Sequence, residues 1–279
     1  AAQAAMVARI PIAHIHGGET TEGAIDESIR HAITKMAHLH LTTAAPFRKR
    51  VIQMGESPER VFNVGAPGLD HLKRLDLLDR EAFEASIDFK IEEPTFLITH
   101  HPATLGDTSS EQSIDQLLAA LDTFTEATLI FTKSNADADG RIINQRIEAY
   151  VEQHKSRARV YTSLGQRRYL SALHHVDVVI GNSSSGIIEA PAVPVATVNI
   201  GDRQKGRLRA DSVIDVSTDT KSIMQGIEQA LSDSFQKSLQ DVSSPYGDGE
   251  ASPRICQHLK TVDISNLMTS FHDLSFEVN

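Results

Sequence analysis

A hydroxyl-rich turn follows an apolar run that ends at Gly181 and leads into a helix-compatible stretch carrying Glu189. The turn consists of four small residues: Ser183, Ser184, Ser185 and Gly186. A strand, a tight turn and a helix start present unpaired backbone N–H groups and the positive end of a helix dipole, which together favour a phosphate. The pattern therefore predicts an anion site. The same residues are also typical of an ordinary helix cap.

A basic loop lies a short distance further on. Arg203, Lys205 and Arg207 follow a second apolar run. If both runs are strands of one parallel sheet, the loop and the hydroxyl-rich turn lie at the same sheet edge. Two elements that could bind phosphate then meet there. The alternative interpretation is a solvated basic loop.

The stretch from His14 to Arg30 has side chains suited to proton transfer. Gly17 and Gly18 interrupt it at a predicted strand-to-helix junction, where glycine permits a close backbone approach. The titratable residues are His14, His16, Glu19, Glu22, Asp26, Glu27 and Arg30. The carboxylates are candidate general bases. Asp26 and Arg30, at i and i+4, fit a simple helix-surface ion pair equally well.

His100, His101 and Pro102 directly follow the apolar segment TFLIT. Proline restricts the preceding residue to extended backbone, so His101 is expected to project from the end of its strand. A histidine there can donate to a phosphate when charged, or act as an acid or base near neutral pH. A loop histidine with local hydrogen bonds alone is the other interpretation.

Alternating strand and helix patterns position all these residues. From Pro94 onward, short apolar runs are separated by amphipathic stretches of about 10–15 residues, which is typical of βαβ units and a doubly wound parallel sheet. Ligands bind outside the carboxyl ends of strands in such sheets, where the serine turn, the basic loop and His101 occur. The charged segment 69–90 looks like the exit from an earlier domain, and residues 253–279 are predicted to be helical.

Composition excludes several functional classes. The net charge of −10 disfavours a nucleic-acid surface, and the single cysteine, Cys256, rules out an internal disulfide framework and a multi-cysteine metal site. No apolar stretch reaches the ~20 residues that span a bilayer, and the N-terminal residues lack a signal-peptide pattern, so we expect no membrane partner and a cytoplasmic location. The opening residues look like a helix running into a strand, so the sequence is expected to begin partway through a domain.

Several motifs that would indicate other chemistry are missing. The sequence has no GxGxxG, no GxxxxGK[ST] and no GxSxG, so it supports neither a dinucleotide cofactor, nor a P-loop, nor a serine-nucleophile elbow. The His14-x-His16 pair has no second His or Cys pair at zinc spacing, so no metal and no other cofactor is expected.

Six ordered segments resemble the UDP-N-acetylglucosamine 2-epimerase family, above all its hydrolysing branch in sialic-acid biosynthesis. They are HIHGGETTEGAIDESIRHAITK, RVFNVGAPGLD, ITHHPAT, KSNADADGR, GNSSSGIIEAP and NIGDRQKGR. The resemblance implies two Rossmann-like doubly wound domains in the GT-B arrangement, with the active site in the interdomain cleft and the first domain incomplete in this chain. The implied ranges are 1–88 for the end of the first domain, 89–252 for the UDP-binding domain and 253–279 for a C-terminal helical segment that packs back toward the first domain.

The resemblance also implies roles for individual residues. Ser183, Ser184 and the turn through Ser185 and Gly186 match the diphosphate-binding positions. Glu189 matches a ribose-binding carboxylate, and Leu164 lies where the backbone of relatives binds uracil. The remaining matches are His101 and Arg203 beside the diphosphate, Asn135 in the cleft, and Asp26 and Arg30 around the sugar. Glu27 and Glu19 are further candidate residues there. His16 stands where many relatives carry Glu, which leaves open whether His16, Glu19, Asp26 or Glu27 transfers the proton.

The implied reaction removes the proton from C2 of UDP-N-acetylglucosamine, expels UDP from C1, and adds water to the resulting 2-acetamidoglycal to give N-acetylmannosamine. The alternatives are the same reaction on UDP-2,4-diacetamido-2,4,6-trideoxyglucose, epimerisation without hydrolysis, and a nucleotide-sugar-binding module without activity. A UDP-sugar and UDP are thus the expected ligands, and a homodimer or higher homo-oligomer is the expected assembly.

Overall fold

Every strand that the structure describes runs parallel to its hydrogen-bonded neighbours. The structure is a computed structural model that describes residues 1–20, 26–102, 109–134, 139–263 and 268–275. It divides into two compact units: unit 1 comprises Ala1–Lys73 and Pro245–Asn279, and unit 2 comprises Arg74–Ser244. The α/β class and the parallel sheets predicted from the alternating pattern are confirmed.

The elements follow one another as the alternation predicts. In chain order they are α1 (Ala2–Val7), β1 (Ala13–Ile15), α2 (Asp26–Met36), β2 (Leu39–Thr42), α3 (Ala45–Gln53), β3 (Val61–Asn63), α4 (Asp70–Arg74), α5 (Arg80–Ile87), β4 (Thr95–Thr99), α6 (Ser110–Leu121), β5 (Thr128–Thr132), α7 (Gly140–Gln153), β6 (Ala158–Tyr161), α8 (Gly165–Leu173), β7 (Val178–Gly181), α9 (Ser185–Ile188), β8 (Ala196–Ile200), β9 (Val213–Val216), α10 (Thr220–Leu231), α11 (Asp233–Ser238) and α12 (Ala251–Thr261). Within the described residues, no helix is long and apolar enough to cross a membrane.

Unit 2 contains a six-stranded sheet in the order β6-β5-β4-β7-β8-β9. The chain builds outward from β4 to β6 on one side, and then from β7 to β9 on the other. The topological switch point therefore lies between β4 and β7. Strands β4, β5, β7 and β8 are buried along their whole length, which explains why their sequences are almost continuously apolar rather than alternating.

Helices cover the unit 2 sheet with apolar stripes at helical spacing. In α6, Ile114, Leu117, Leu118 and Leu121 are all buried against the strands. The helix begins where Ser109 caps it, because the Ser109 hydroxyl accepts the Gln112 N–H at 3.2 Å.

Unit 1 contains the three-stranded sheet β1-β2-β3. Helix α12 packs on this sheet, where Ala251 and Ile255 join a buried cluster with Leu39, Leu41 and Val64. The start of α12 is held from a distance in sequence, because the carboxylate of buried Asp70 accepts the N–H groups of Ala251 at 2.8 Å and Ser252 at 2.7 Å. Residues 245–279 thus belong with the first 73 residues of the chain.

Three features differ from the predicted boundaries. Residues 245–252, predicted to end the second domain, group with unit 1, where buried Asp70 accepts the N–H groups of Ala251 and Ser252. Helix α12 ends at Thr261, and the described residues beyond it, 262–263 and 268–275, are not helical although the sequence predicts helix to 279. Thr261 and Val262 are β-branched, and the Thr261 hydroxyl donates to the Gln257 carbonyl at 3.0 Å, both of which weaken a helix end. Residues 74–88, predicted to end the first domain, group with unit 2, where the Tyr161 hydroxyl donates to the Ile87 carbonyl.

Candidate active site

The loops that follow β4 and β7 meet at the switch point of the unit 2 sheet. Thr99 and Gly181 are register partners at the ends of these strands. Gly181 has φ +135°, and a Cβ atom there would lie 1.9 Å from the Thr99 carbonyl oxygen. Only glycine fits this close approach, so the turn into the serine-rich segment depends on it.

Asn182 joins the two loops. Its side chain, 2% exposed, accepts the His101 N–H at 2.7 Å and donates to the His101 carbonyl at 2.9 Å. Both polar groups of the His101 backbone are therefore held by one carboxamide. The His101 ring makes a second contact, since its Nδ1 lies 3.3 Å from the Ser134 hydroxyl in the loop after β5.

The basic loop reaches the same residue. The Asn182 carbonyl accepts hydrogen bonds from Arg203 Nη1 at 3.0 Å and from Gln204 Nε2 at 2.8 Å. The loops after β4, β7 and β8 are consequently tied together through Asn182. The structure thus brings the predicted residues His101 and Arg203 to one place on the sheet edge.

The serine turn rests on the neighbouring strand. Gly186 lies against β8, where an added Cβ would come within 3.0 Å of the Thr197 methyl group. The Ser183 hydroxyl accepts the Ser185 N–H at 3.4 Å, and Ser184 precedes the short helix α9, which Glu189 follows. Tyr169 from α8 adjoins this turn, and burial, together with the charge of Glu189, raises the pKa of its hydroxyl.

A second histidine, His100, precedes His101 and contacts helix α6. His100 is 2% exposed, and its Nε2 lies 2.9 Å from the Ser113 hydroxyl of α6. Burial lowers the pKa of His100 to about 4, with smaller contributions from the charges of His101 and Arg203. His100 is therefore neutral at pH 7, and the positive charge at this edge belongs to the neighbouring side chains.

Two other residues, Leu164 and Asn135, are predicted to bind the ligand. Leu164 is buried at the start of α8, and its carbonyl accepts the Arg168 Nε–H at 2.7 Å. Asn135 lies outside the described residues. The residue before it, Ser134, is fixed because its N–H donates to Asn144 Oδ1 at 2.8 Å.

The predicted proton-transfer residues lie in unit 1. His16 Nε2 is 2.9 Å from the Glu19 carboxylate, and Glu19 is 1% exposed. Arg30 donates to the Glu19 carbonyl at 3.1 Å and lies 3.5 Å from the Glu27 carboxylate. The structure thus gathers His16, Glu19, Glu27 and Arg30, while Asp26 is exposed at the first position of α2. Among the described contacts, Arg30 is paired with Glu27, and not with Asp26 as the alternative interpretation of the spacing predicts.

A further histidine adjoins this group. His14 Nδ1 lies 3.2 Å from the Thr34 hydroxyl of α2, and His14 pairs in register with His40 of β2. Burial lowers the pKa of His14 to about 4, and the charges of His40 and Arg30 act in the same direction. In the described part of the chain, no group of three or more His, Cys, Asp or Glu side chains is arranged to hold a metal ion.

Asn182 and Gln204 are structural members of the site that the sequence does not single out. An asparagine after a strand is typical of a turn, where the residue type favours local bonds. Its partner here is 81 positions away, and nothing in the spacing predicts that. The one available signal was its position between a buried strand and the serines.

The chain is similar in sequence to several known proteins. Residues 1–260 match the UDP-N-acetylglucosamine 2-epimerase family. The chain is 40% identical over 236 residues to a GDP/UDP-N,N'-diacetylbacillosamine 2-epimerase (hydrolyzing) of Campylobacter jejuni, covering 85% of this chain and 61% of that protein. It is 42% identical over 244 residues to polysialic acid biosynthesis protein P7 of Escherichia coli, covering 87% and 62%. The chain thus spans about three fifths of the length of these two relatives.

A solved structure supports the fold. The UDP-GlcNAc 2-epimerase from Neisseria meningitidis bound to UDP-GlcNAc superposes with a TM-score of 0.78 at 15% identity, covering 94% of this chain and 72% of that chain. At this identity, the similarity concerns the fold alone.

Proposed function

Since the chain belongs to the UDP-N-acetylglucosamine 2-epimerase family, we propose that it is a hydrolysing 2-epimerase that converts a UDP-linked 2-acetamido sugar and water to the 2-epimeric free sugar and UDP. The observation that carries the proposal is the joining of His101 and Arg203 through Asn182 at the switch point of the sheet. A cationic side chain, a histidine and backbone N–H groups at one sheet edge suit a leaving diphosphate.

Unit 2 binds UDP in this proposal. Arg203, His101 and the Ser183–Gly186 turn contact the diphosphate, Glu189 holds the ribose hydroxyls, and the Leu164 backbone holds uracil. Because His100 is neutral, the stabilisation of the departing diphosphate comes from Arg203 and from His101 when protonated. Positive charge that is already in place when the C1–O bond breaks lowers the activation barrier, because no protein group has to reorganise during the reaction.

Unit 1 carries the proton chemistry. A base removes the C2 proton while the C1–O bond breaks, and UDP leaves with the bonding electrons to give the glycal. Water then adds its oxygen to C1, and a proton returns to C2 on the opposite face. Asp26, Glu27 and His16 are the proposed acid and base groups, with Arg30 and Glu19 orienting them and the sugar. The 2.9 Å contact between His16 Nε2 and the Glu19 carboxylate orients the imidazole, which suits His16 as a proton-transfer group.

Two substrates fit this proposal. UDP-N-acetylglucosamine, which would give N-acetylmannosamine, is our first choice. UDP-2,4-diacetamido-2,4,6-trideoxyglucose is the second, and the name of the Campylobacter jejuni relative favours it. The two sugars differ at C4 and C6, away from the bonds that change, so the same residues serve both.

The test is product analysis with each UDP-sugar in D₂O. We expect free UDP in the ³¹P spectrum, and a free sugar of inverted C2 configuration that carries deuterium at C2. Release of UDP-N-acetylmannosamine without free UDP would contradict hydrolysis. Tight binding of UDP without any turnover would instead favour a nucleotide-sugar-binding module.

Variants assign the roles. We expect Arg203→Met to weaken UDP binding by at least about tenfold, or 1.4 kcal/mol, because a charged contact to the diphosphate is lost. We expect Asp26→Asn to abolish turnover and leave UDP affinity unchanged. The matched control is Arg146→Met, which removes a surface arginine paired with Glu111 and Asp115 on unit 2. Full turnover by Asp26→Asn would exclude Asp26 as the base.

A further inference from the structure

The loop that carries Arg203 is held by an arginine outside the predicted site. The Arg209 guanidinium donates through Nη2 to the Gln204 carbonyl and through Nη1 to the Arg207 carbonyl, both at 3.0 Å. Its Nε lies 3.1 Å from each oxygen of the Asp215 carboxylate. One side chain therefore bonds two backbone carbonyls of the loop and one residue of β9.

Asp215 is itself fixed to the sheet. It is the register partner of Asn199 on β8, and Asn199 Nδ2 donates to Asp215 Oδ1 at 2.6 Å. Asn199 is 1% exposed, so this end of the contact is anchored in the buried part of the sheet. Arg209 thus connects the loop after β8 to the pair of strands on either side of it.

Gln204 links Arg209 to the anion site. Its carbonyl is held by Arg209, and its side-chain amide donates to the Asn182 carbonyl at 2.8 Å, beside the bond from Arg203. Gln204 is 2% exposed. Gln204, the residue immediately after Arg203, is therefore held through both its backbone carbonyl and its side chain, which constrains the backbone from which Arg203 extends.

The backbone contacts carry more weight than the ion pair. The Asp215 side chain is 56% exposed, and solvent screens an exposed ion pair so that it contributes little. The bonds to the two carbonyls need a planar, forked donor. A lysine ammonium is a point charge on a flexible stem and cannot reproduce all three contacts.

We propose that Arg209 is a positioning residue that holds the 201–207 loop so that Arg203 meets the diphosphate of the bound nucleotide. This inference rests on the proposed function, because it takes UDP as the ligand. Arg209 does not bind the nucleotide itself in this proposal. Its effect is confined to the phosphate end of the ligand, which separates it from a general effect on folding.

The experiment compares the dissociation constants of UDP and uridine, measured by calorimetry, for the unmodified chain, Arg209→Met, Arg209→Lys and Asp215→Asn. We expect Arg209→Met to weaken UDP binding about tenfold and leave uridine binding unchanged, because uridine has no phosphate for Arg203 to meet. Arg209→Lys should lose most of the same affinity. Asp215→Asn should lose less than threefold, because both carbonyl contacts remain.

Arg146→Met is the matched control, and it should change neither constant. Unchanged UDP affinity in Arg209→Met, or an equal loss for UDP and uridine, would overturn the positioning role. If the unmodified chain bound neither UDP nor uridine, the proposed function would fall, and this inference with it. If the unmodified chain bound UDP but Arg209→Met had the same two constants as the Arg146→Met control, this inference would fall and the proposed function would stand.

Discussion

The carboxamide of Asn182 forms two hydrogen bonds with the peptide groups of His101, accepting from its N–H at 2.7 Å and donating to its carbonyl at 2.9 Å. The two residues follow β7 and β4, which flank the switch point of the sheet. A carboxamide carries an acceptor oxygen and a donor NH₂ group side by side, so one neutral side chain makes both bonds. The arrangement makes Asn182 the residue on which the backbone position of His101 depends.

Asn182→Ala is expected to destabilise the chain and to weaken UDP binding. The substitution removes the hydrogen bonds that Asn182 makes to the N–H and the carbonyl of buried His101, and the loss of a buried hydrogen-bond partner costs about 1–3 kcal/mol. We expect the free energy of unfolding in urea to fall by about 2–5 kcal/mol. Asn182→Asp is the informative companion, since it keeps the acceptor, loses the donor, and adds negative charge beside Arg203. A UDP affinity that Asn182→Asp leaves intact would contradict the anion site.

Gly181→Ala is expected to disrupt the end of the unit 2 sheet. A Cβ atom would lie 1.9 Å from the Thr99 carbonyl oxygen, so the strands must move apart, and the φ of +135° is also unfavourable for alanine. Gly165→Ala is the matched control, because Gly165 has φ +66° and nothing lies within 4 Å of the added atom. We expect the control to cost about 1 kcal/mol and Gly181→Ala several times more, measured by urea unfolding. Equal losses would show that the contact with Thr99 does not matter.

Much of unit 2 follows from its sequence because local patterns and tertiary packing agree there. The segment TFLIT is apolar and β-branched, so it predicts β4, and the segments that form α6 and α7 have clear helical periodicity. Once the strands are parallel, the rule that ligands bind at their carboxyl ends places His101 and Arg203 at the same edge of the sheet. The bonds that fix them, through Asn182 and Arg209, depend on side-chain geometry and leave no periodic signal.

Unit 1 is less predictable for a physical reason. Its short strands are stabilised by contacts from residues far away in the chain, such as Asp70 with the start of α12, which no local pattern encodes. The His14 to Arg30 stretch offers many titratable groups at similar spacings. Its sequence could not decide that Glu19 lies against His16 or that Arg30 pairs with Glu27.

Asp70→Ala is expected to release the start of α12. The carboxylate accepts two backbone N–H groups there, and the side chain of the N-cap residue, Glu250, makes no capping hydrogen bond. Loss of a buried, charged acceptor of this kind costs about 2–4 kcal/mol. We expect faster hydrogen exchange of the α12 amides and a lower free energy of unfolding.

The exposed cap of α5 provides the comparison for Asp70. Asp79 accepts the Ala82 N–H at 2.8 Å at the surface, and removal of such a cap costs about 1 kcal/mol. Asp79→Ala should therefore be milder and should leave exchange in α12 unchanged. If Asp70→Ala leaves α12 protected, Asp70 does not anchor the helix.

The buried His100 is expected to make the chain sensitive to acid. Its pKa is lowered from 6.5 to about 4 by burial, so the unfolded chain takes up this proton at a higher pH than the folded chain. The free energy of unfolding should then decrease as the pH falls from 6.5 to about 4, with a contribution on the order of 3 kcal/mol. This contribution is fully present above pH 6.5 and changes no further well below pH 4.

His100→Gln and Ser113→Ala separate this titration from the hydrogen bond that His100 makes. His100→Gln removes the titrating group, so its unfolding free energy should change less between pH 6.5 and 4 than that of the unmodified chain. Ser113→Ala removes the 2.9 Å contact with Nε2 but keeps the buried imidazole, so it should lower stability at pH 7 and retain the dependence on pH. Urea unfolding at half-unit pH steps measures both. The substitution His100→Gln removes the buried imidazole. If its free energy of unfolding depended on pH as that of the unmodified chain does, another group would control the acid response.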